Sequence, residues 1–278
     1  MTDNAISPFR LDNKSSIVTG SLGLIGSEVA DALAQSGSNI GILDNGNHDK
    51  IIAQAHKLEE IYDIEAVPLN VDITDAASVD NALDALENQL SPPDVLIHLA
   101  ALNPTAATKK SKSWNDLISF EMKDWKHTLD VNLTGTFVMC QKTTERMIKN
   151  GGGHIILVAS TYSLVGPNPG LYRGVSGGSR SRTKPPDYVA TKSAIPNFTK
   201  YLATSFATDG IRANCVVPHG VDDGTHDQEF LSQFANLSPL GRMCDVKELR
   251  GPFIFLASDA SSYMTGSTLV VDGGWTAW

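Results

Sequence analysis

Long apolar runs are missing from this 278-residue chain. The longest, Ile155 to Ala159 and Val95 to Leu102, have the length of buried strands and fall far short of a membrane span. The opening residues, MTDNAISPFRLDNKSS, contain no apolar core of the kind that directs export, so a cytoplasmic address is expected. Cysteine is scarce. Cys140, Cys215 and Cys244 are odd in number and have no paired metal spacing, which speaks against a disulfide framework and leaves no metal site to expect; they read as small core residues. Positive charge is also short, with 22 Lys and Arg against 31 Asp and Glu, a net charge of −9, and no basic tail. That balance argues against nucleic acid or an anionic membrane as the main partner. Internal repeats and low-complexity linkers are absent too, so residues 1–278 are expected to form a single domain.

What the chain does contain is an alternation of short apolar runs with helical patterns. Strands are expected from Ser15, and over 39–43, 66–71, 94–99, 154–159, 212–217 and 268–271. Helices are expected over 49–62, from a cap at Asp75 to Leu90, over 123–150 with Asn132 in the middle, from Tyr188 to Thr208, and over 245–257. Residues 103–121, with the run Lys109-Lys110-Ser111-Lys112, read as a loop with a solvated basic surface, and 221–240 as a polar, loop-rich stretch. Such alternation requires a parallel sheet with helices on both faces, an α/β doubly wound fold.

Four groups of residues carry chemistry. The first strand breaks at Thr19 into Gly20-Ser21-Leu22-Gly23-Leu24-Ile25-Gly26 and then into a helix. This arrangement aims backbone N–H groups and a helix N-terminus at a pyrophosphate. About twenty residues on, the second strand ends at Asp44, where a carboxylate can accept from both ribose hydroxyls and would repel a 2′-phosphate, favouring NAD over NADP. Small residues Ala100 and Ala101 after the fourth strand would let a cofactor lie against the backbone. Finally, Tyr188 and Lys192 stand four residues apart, on one face of a helix. A free phenol is a reluctant acid at neutral pH, and a neighbouring ammonium favours its ionised form. On its own this pair also fits an aromatic packed on the core beside a solvated lysine.

Thr19-Gly20 with Gly23 and Gly26, Asp72, Asn132, Ser160, Tyr188 with Lys192, Pro218 and the closing Asp272-Gly273-Gly274 occur in the order and approximate spacing of one family. Over residues 14–278 the chain resembles a short-chain dehydrogenase/reductase of the classical type. The resemblance implies a Rossmann-type sheet of about seven parallel strands in the order 3-2-1-4-5-6-7, and an oxidoreductase that interconverts a secondary alcohol and a ketone with a nicotinamide cofactor. It implies that Tyr188 is the acid/base, that Ser160 fixes the substrate oxygen, and that Lys192 lowers the tyrosine pKa and holds the nicotinamide ribose. Asn132 would support a water leading to bulk solvent. The cofactor would be held by Gly20, Gly23, Ile25, Gly26, Asp44, Asp72, Ile73, Ala100, Ala101, Tyr188, Lys192, Pro218 and Val221. A homo-oligomer, commonly a tetramer or dimer, is also implied, in keeping with an apolar end at Trp275 and Trp278.

Some positions depart from the family pattern. The glycine spacing is more usual in the extended branch, and His98 and His219 stand where Asn and Gly are common. His98 reads as a hydrogen-bonded strand-end residue and His219 as a candidate substrate contact. The segment 161–187 is longer than usual and carries Arg173, Arg180, Arg182 and Lys184, cations that suit a small anionic substrate or simply solubilise the insert. Residues 219–244 would form a variable substrate lobe. These features together resemble a sub-branch of oxidoreductases of flagellin-glycan and nonulosonic sugar synthesis, which makes a sugar or anionic sugar derivative the expected substrate. Two other readings of the same residues are an epimerase or dehydratase that retains its NAD while acting on a nucleotide sugar, and a non-catalytic dinucleotide-binding regulator.

Overall fold

The computed structural model describes residues 6–103, 115–172 and 183–278. Among them, seven strands form one sheet: β1 (Ser15–Thr19), β2 (Asn39–Asp44), β3 (Ala66–Asn70), β4 (Val95–His98), β5 (Gly153–Val158), β6 (Ile211–Pro218) and β7 (Thr268–Val271). Every pairing is parallel and the order is β3-β2-β1-β4-β5-β6-β7, as the resemblance implies. All five residues of β1 and all four of β4 are buried, because helices cover both faces of a parallel sheet.

The helices are α1 (Leu24–Gln35), α2 (His48–Tyr62), α3 (Ala76–Gln89), α4 (Met122–Leu129), α5 (Thr136–Lys149), α6 (Pro186–Ser205), α7 (Gln228–Leu237) and α8 (Arg250–Ala257). Two apolar layers sandwich the sheet. One includes Ile17, Leu83, Leu96, Met139 and Ile155, the other Val18, Leu33, Ile97, Val216 and Phe253. The neighbours Ile17 and Val18, or Leu96 and Ile97, fall in opposite layers because successive strand side chains point to opposite faces. Cys140 and Cys215 lie in the first layer as expected, and burial pushes their thiols up to about 12 and about 11.

Two elements differ from the sequence reading. The helix expected over 123–150 is broken by a wide π-turn at Asp130–Gly135, between α4 and α5. Gly135 lets this turn press onto Ile73, whose side chain would lie 2.7 Å from an added Cβ. The stretch read as loop over 221–240 contains α7, capped by the Asp227 carboxylate, which accepts from the Phe230 N–H at 2.7 Å. Its apolar stripe, Phe230, Leu231, Phe234 and Leu237, packs with Leu171, Met243 and Trp275 over the carboxyl ends of the strands.

Candidate active site

The parallel sheet delivers the carboxyl ends of its strands to one edge, and there a cleft of about 400 Å³ opens. Its floor is the glycine turn after β1. Gly20 has φ +67, and an added Cβ would sit 2.9 Å from the Ala100 backbone. Gly26 is under still tighter constraint, since a Cβ would lie 2.0 Å from the Gly20 carbonyl oxygen. These two glycines let α1 start directly beneath the turn. Gly23, its N-cap, supplies no side chain to cap the first N–H groups of α1. A turn that a Cβ would block, ending in uncapped helix N–H groups, fits the pyrophosphate of a dinucleotide. At the end of β2 the Asp44 carboxylate accepts from the Leu22 N–H at 3.0 Å and from the Gly46 N–H at 2.8 Å, so it is pinned beside this turn.

The centre of the cleft is built by β5 and α6. Ser160 follows β5, and its hydroxyl accepts from the Tyr162 N–H at 3.4 Å. Tyr188 and Lys192 both lie on the buried side of α6, 8% and 7% exposed. The Lys192 ammonium donates to the Val158 carbonyl at 2.7 Å. Burial pushes the Tyr188 phenol up to about 12, and the neighbouring Ser160 hydroxyl opposes the shift. Burial likewise pulls Lys192 down to about 8. Desolvation of the phenolate dominates, and the ammonium is directed at a carbonyl.

Asn132 lies in the π-turn and is buried beneath the cleft. Its amide oxygen accepts from the Leu102 N–H at 2.7 Å, and its amide nitrogen donates to the Leu102 carbonyl and the Thr191 hydroxyl, both at 3.1 Å. A second network fixes the neighbouring strand ends. The Thr19 hydroxyl oxygen accepts from the Leu99 and Ala100 N–H groups, each at 3.1 Å, and lies 2.9 Å from His98 Nδ1. The Thr136 hydroxyl donates to the Asn132 carbonyl and lies 3.0 Å from His98 Nε2. With two donors already on its oxygen, Thr19 gives its own proton to Nδ1, and Nε2 then carries the imidazole proton toward Thr136. Burial first, and the charge of Lys192 second, hold His98 near pKa 3, so the ring stays neutral. It is a hydrogen-bonded strand-end residue.

The far wall is aromatic. His219 follows β6 and packs on Trp275 at 4.2 Å, Phe234 at 5.2 Å and Tyr162 at 5.8 Å between ring centres. Its Nδ1 is 2.5 Å from the Thr161 hydroxyl, while Nε2 has no partner among the described residues. Burial pulls this imidazole down to about 4. At the mouth stand Asp223 and His226, with the Asp223 carboxylate accepting from the Thr225 N–H and hydroxyl.

A family model described as enoyl-(acyl carrier protein) reductase matches residues 23–276. The chain is 32% identical over 284 residues to D-threitol dehydrogenase of Mycolicibacterium smegmatis, covering 96% of this chain and 95% of that one. A short-chain type dehydrogenase/reductase from Mycobacterium marinum superposes with a TM-score of 0.83 at 27% identity, over 99% of this chain and 100% of that one. The chain belongs to the short-chain dehydrogenase/reductase family. Another member is similar as well: gluconate 5-dehydrogenase from Burkholderia cenocepacia, solved with NADP and tartrate, has a TM-score of 0.84 at 31% identity over 99% of this chain and 100% of that one. Like these relatives the protein is a nicotinamide-dependent oxidoreductase of alcohol and ketone groups.

Of the positions that the short-chain dehydrogenase/reductase pattern marks, Gly20, Gly23, Ile25, Gly26, Ala101, Ser160, Tyr188, Lys192, Pro218, His219 and Val221 line the cleft together. Asp44, Asp72, Ile73, Ala100 and Asn132 stand outside that lining. Asp72 accepts from the Thr74 N–H and hydroxyl in its own turn, and Ile73 is buried against the π-turn. Arg173, Arg180, Arg182 and the Lys109–Lys112 run lie outside the described residues. Trp275 corrects the expectation of an exposed apolar end: it is 7% exposed, packed against His219 and Phe234 behind the cleft lining, while Trp278 is open, at 79%. The sequence reading missed Tyr162 and Phe234 in the cleft wall and Trp275 packed behind them. The spacing of Phe230, Leu231, Phe234 and Leu237 after a capping Asp227 was the available signal.

Proposed function

We propose that this protein is an NAD-dependent dehydrogenase that oxidises a secondary alcohol of a small polyhydroxylated molecule and reduces the corresponding ketone. The observation that carries the reading is the convergence of Ser160, Tyr188 and Lys192 on a cleft floored by the glycine turn. The named activities of the relatives, on D-threitol and gluconate, support a polyol or sugar acid as the substrate class. The nicotinamide would supply the hydride acceptor or donor, so the protein contributes alignment, proton transfer and electrostatics.

The turn at Gly20–Gly26 would hold the pyrophosphate, Asp44 the adenosine ribose, and Lys192 the nicotinamide ribose. NAD is preferred in this reading because Asp44 places a carboxylate where a 2′-phosphate would have to lie, and neither 20–26 nor 44–47 contains a Lys or Arg to offset it. The gluconate 5-dehydrogenase relative was solved with NADP, which makes this preference the point to measure first. Ser160 would donate to the substrate oxygen and keep it within reach of the Tyr188 hydroxyl. In reduction, the phenol gives its proton to the oxygen as the carbonyl carbon receives hydride. A phenol near pKa 12 is fully protonated at neutral pH and is ready for that direction. In oxidation the proton must leave the alcohol, and the positive charge of Lys192 stabilises the phenolate that accepts it.

Among the described residues, no helix is long and apolar enough to cross a membrane, in keeping with a cytoplasmic enzyme. Met122, Phe137 and Tyr201, on α4, α5 and α6, are 64%, 51% and 58% exposed, which supports a homo-oligomer that covers them. The central test is Tyr188→Phe assayed by NADH absorbance against a panel of polyols, sugar acids and ketoses. Turnover is expected to vanish while NADH binding, read by fluorescence, persists. Full activity in this variant would discard the assignment.

A further inference from the structure

We infer that Lys184 forms an anion-binding subsite in the cleft, so that the substrate carries a carboxylate or phosphate in addition to its reacting alcohol. This rests on the dehydrogenase reading above and adds the chemical class of the substrate. Lys184 lines the same cleft as Ser160, Tyr188 and Lys192, and its ammonium lies over the Tyr188 ring, 4.9 Å from the centroid. Tyr188 therefore has a cation one turn to either side along the chain, and only one of the two, Lys192, is tied to a backbone carbonyl.

The position of Lys184 is fixed by its surroundings. Pro185 is the N-cap of α6 in an extended conformation and Pro186 is its first residue, so the backbone enters the helix along a restricted path. The Asn115 amide donates to the Thr183 carbonyl at 2.9 Å and anchors the preceding residue. The side chain is partly buried, yet none of its ion pairs or hydrogen bonds is found among the described residues. The carboxylate whose charge acts on Lys184, Asp187, is fully buried and already engaged: it accepts from the Thr128 hydroxyl at 2.5 Å and from the Tyr188 N–H at 2.7 Å. Burial pulls Lys184 down to about 8 despite the opposing charge of Asp187.

A partly desolvated ammonium with no ion pair among the described residues is unfavourable in the free protein, and an anionic ligand relieves that cost. Neutral polyols offer no such compensation. In the same cleft, His219 Nε2 is a second polar atom with no partner among the described residues, on a side chain that is 7% exposed. A substrate bearing oxygen on both sides of its reacting carbon would satisfy both groups. The other lysine on the cleft is Lys192, which donates to the Val158 carbonyl, and the carboxylate of Asp223 stands at the mouth beside the His226 imidazole.

The test compares gluconate and glucitol 6-phosphate with neutral glucitol, at pH 7 where the ammonium is charged. Binding to the protein–NADH complex is read by calorimetry, and turnover by NADH absorbance. Wild type is expected to bind at least one of the two anions at least tenfold more tightly than glucitol. Lys184→Gln should reduce that ratio to about one, and Lys184→Arg should retain most of it. The anion that responds identifies the source as carboxylate or phosphate. Anion and polyol bound equally by wild type, or Lys184→Gln weakening all three ligands by the same factor, would overturn the subsite. A shift in the pH profile of glucitol turnover by the same variant, with the anion ratio intact, would overturn it too, by assigning Lys184 to Tyr188. Anion binding that depends on Lys184 without turnover of any substrate would uphold the subsite and reject the dehydrogenase reading.

Discussion

Asn132 and Leu102 exchange two hydrogen bonds, amide oxygen to N–H at 2.7 Å and amide nitrogen to carbonyl at 3.1 Å. The side chain thus acts as a clip between the π-turn and the segment after β4. Its third bond, to the Thr191 hydroxyl, extends the clip to α6, where Thr191 donates to the Tyr188 carbonyl at 3.1 Å. The residue implied to support a proton-relay water therefore uses its side chain to fasten three elements around the acid/base.

Asn132→Ala should remove all three bonds and leave the Leu102 N–H and carbonyl without their partner. A loss of about 1–3 kcal/mol is expected for stranding such groups. Urea denaturation followed by circular dichroism measures it. A midpoint equal to that of wild type would show that solvent replaces the amide at no cost.

Lys192 gives a pH-dependent prediction. Its pKa is about 8 in the fold against 10.5 for a free lysine, so below pH 8 the folded state holds a charge that burial disfavours. Between about 8 and 10.5 the unfolded chain binds more protons than the folded one, and the contribution of this group to stability rises with pH. Lys192→Met should therefore melt a few degrees higher than wild type at pH 7, with the gap narrowing toward pH 10, and should be inactive. A variant less stable than wild type at pH 7 would mean that the bond to Val158 outweighs desolvation.

Asp44 should set the choice between cofactors. Asp44→Ala is expected to raise the efficiency with NADP relative to NAD at least tenfold, read as the ratio of the two kcat/KM values. The same substitution frees the Leu22 and Gly46 N–H groups, so some loss with NAD is expected as well. An unchanged ratio would show that the carboxylate does not contact the ribose.

Gly26→Ala tests the cradle. The added methyl would meet the Gly20 carbonyl oxygen at 2.0 Å, and a backbone oxygen cannot rotate away as a side chain can. NADH affinity should fall by at least tenfold, or the protein should fail to accumulate in folded form. A soluble variant that binds NADH as wild type does would require a looser turn than the one described.

Association should be visible by sedimentation. The exposed Phe137 and Tyr201 side chains lie on α5 and α6, and paired Phe137→Glu and Tyr201→Glu changes should drive an oligomer toward monomer. Wild type sedimenting as a monomer would remove the expectation.

Much of this protein is local in origin and was therefore open to sequence reasoning. Strand runs such as Ile155–Val158 are continuously apolar because both faces of a parallel sheet are covered, and the cap at Asp75 and the glycine at 26 act within a few residues of where they stand. Tyr188 and Lys192 share a face because a helix puts residues four apart on one side. The remainder depended on groups far apart in sequence meeting in space. Burial pushes Tyr188 to about 12, against the effect of a lysine judged by spacing alone, because desolvation is a property of the packed surroundings. Asn132 is a clip only because Leu102, thirty residues away, comes to lie against it. Phe234 joins the cleft wall with Trp275 behind it, and Lys184 comes to line the cleft with no ion pair among the described residues, only once β6, α6 and α7 have been brought to one edge of the sheet. Sequence spacing fixes which residues share an element; charge and proton affinity in the site follow from distance and exclusion of water, and those are set by the tertiary fold.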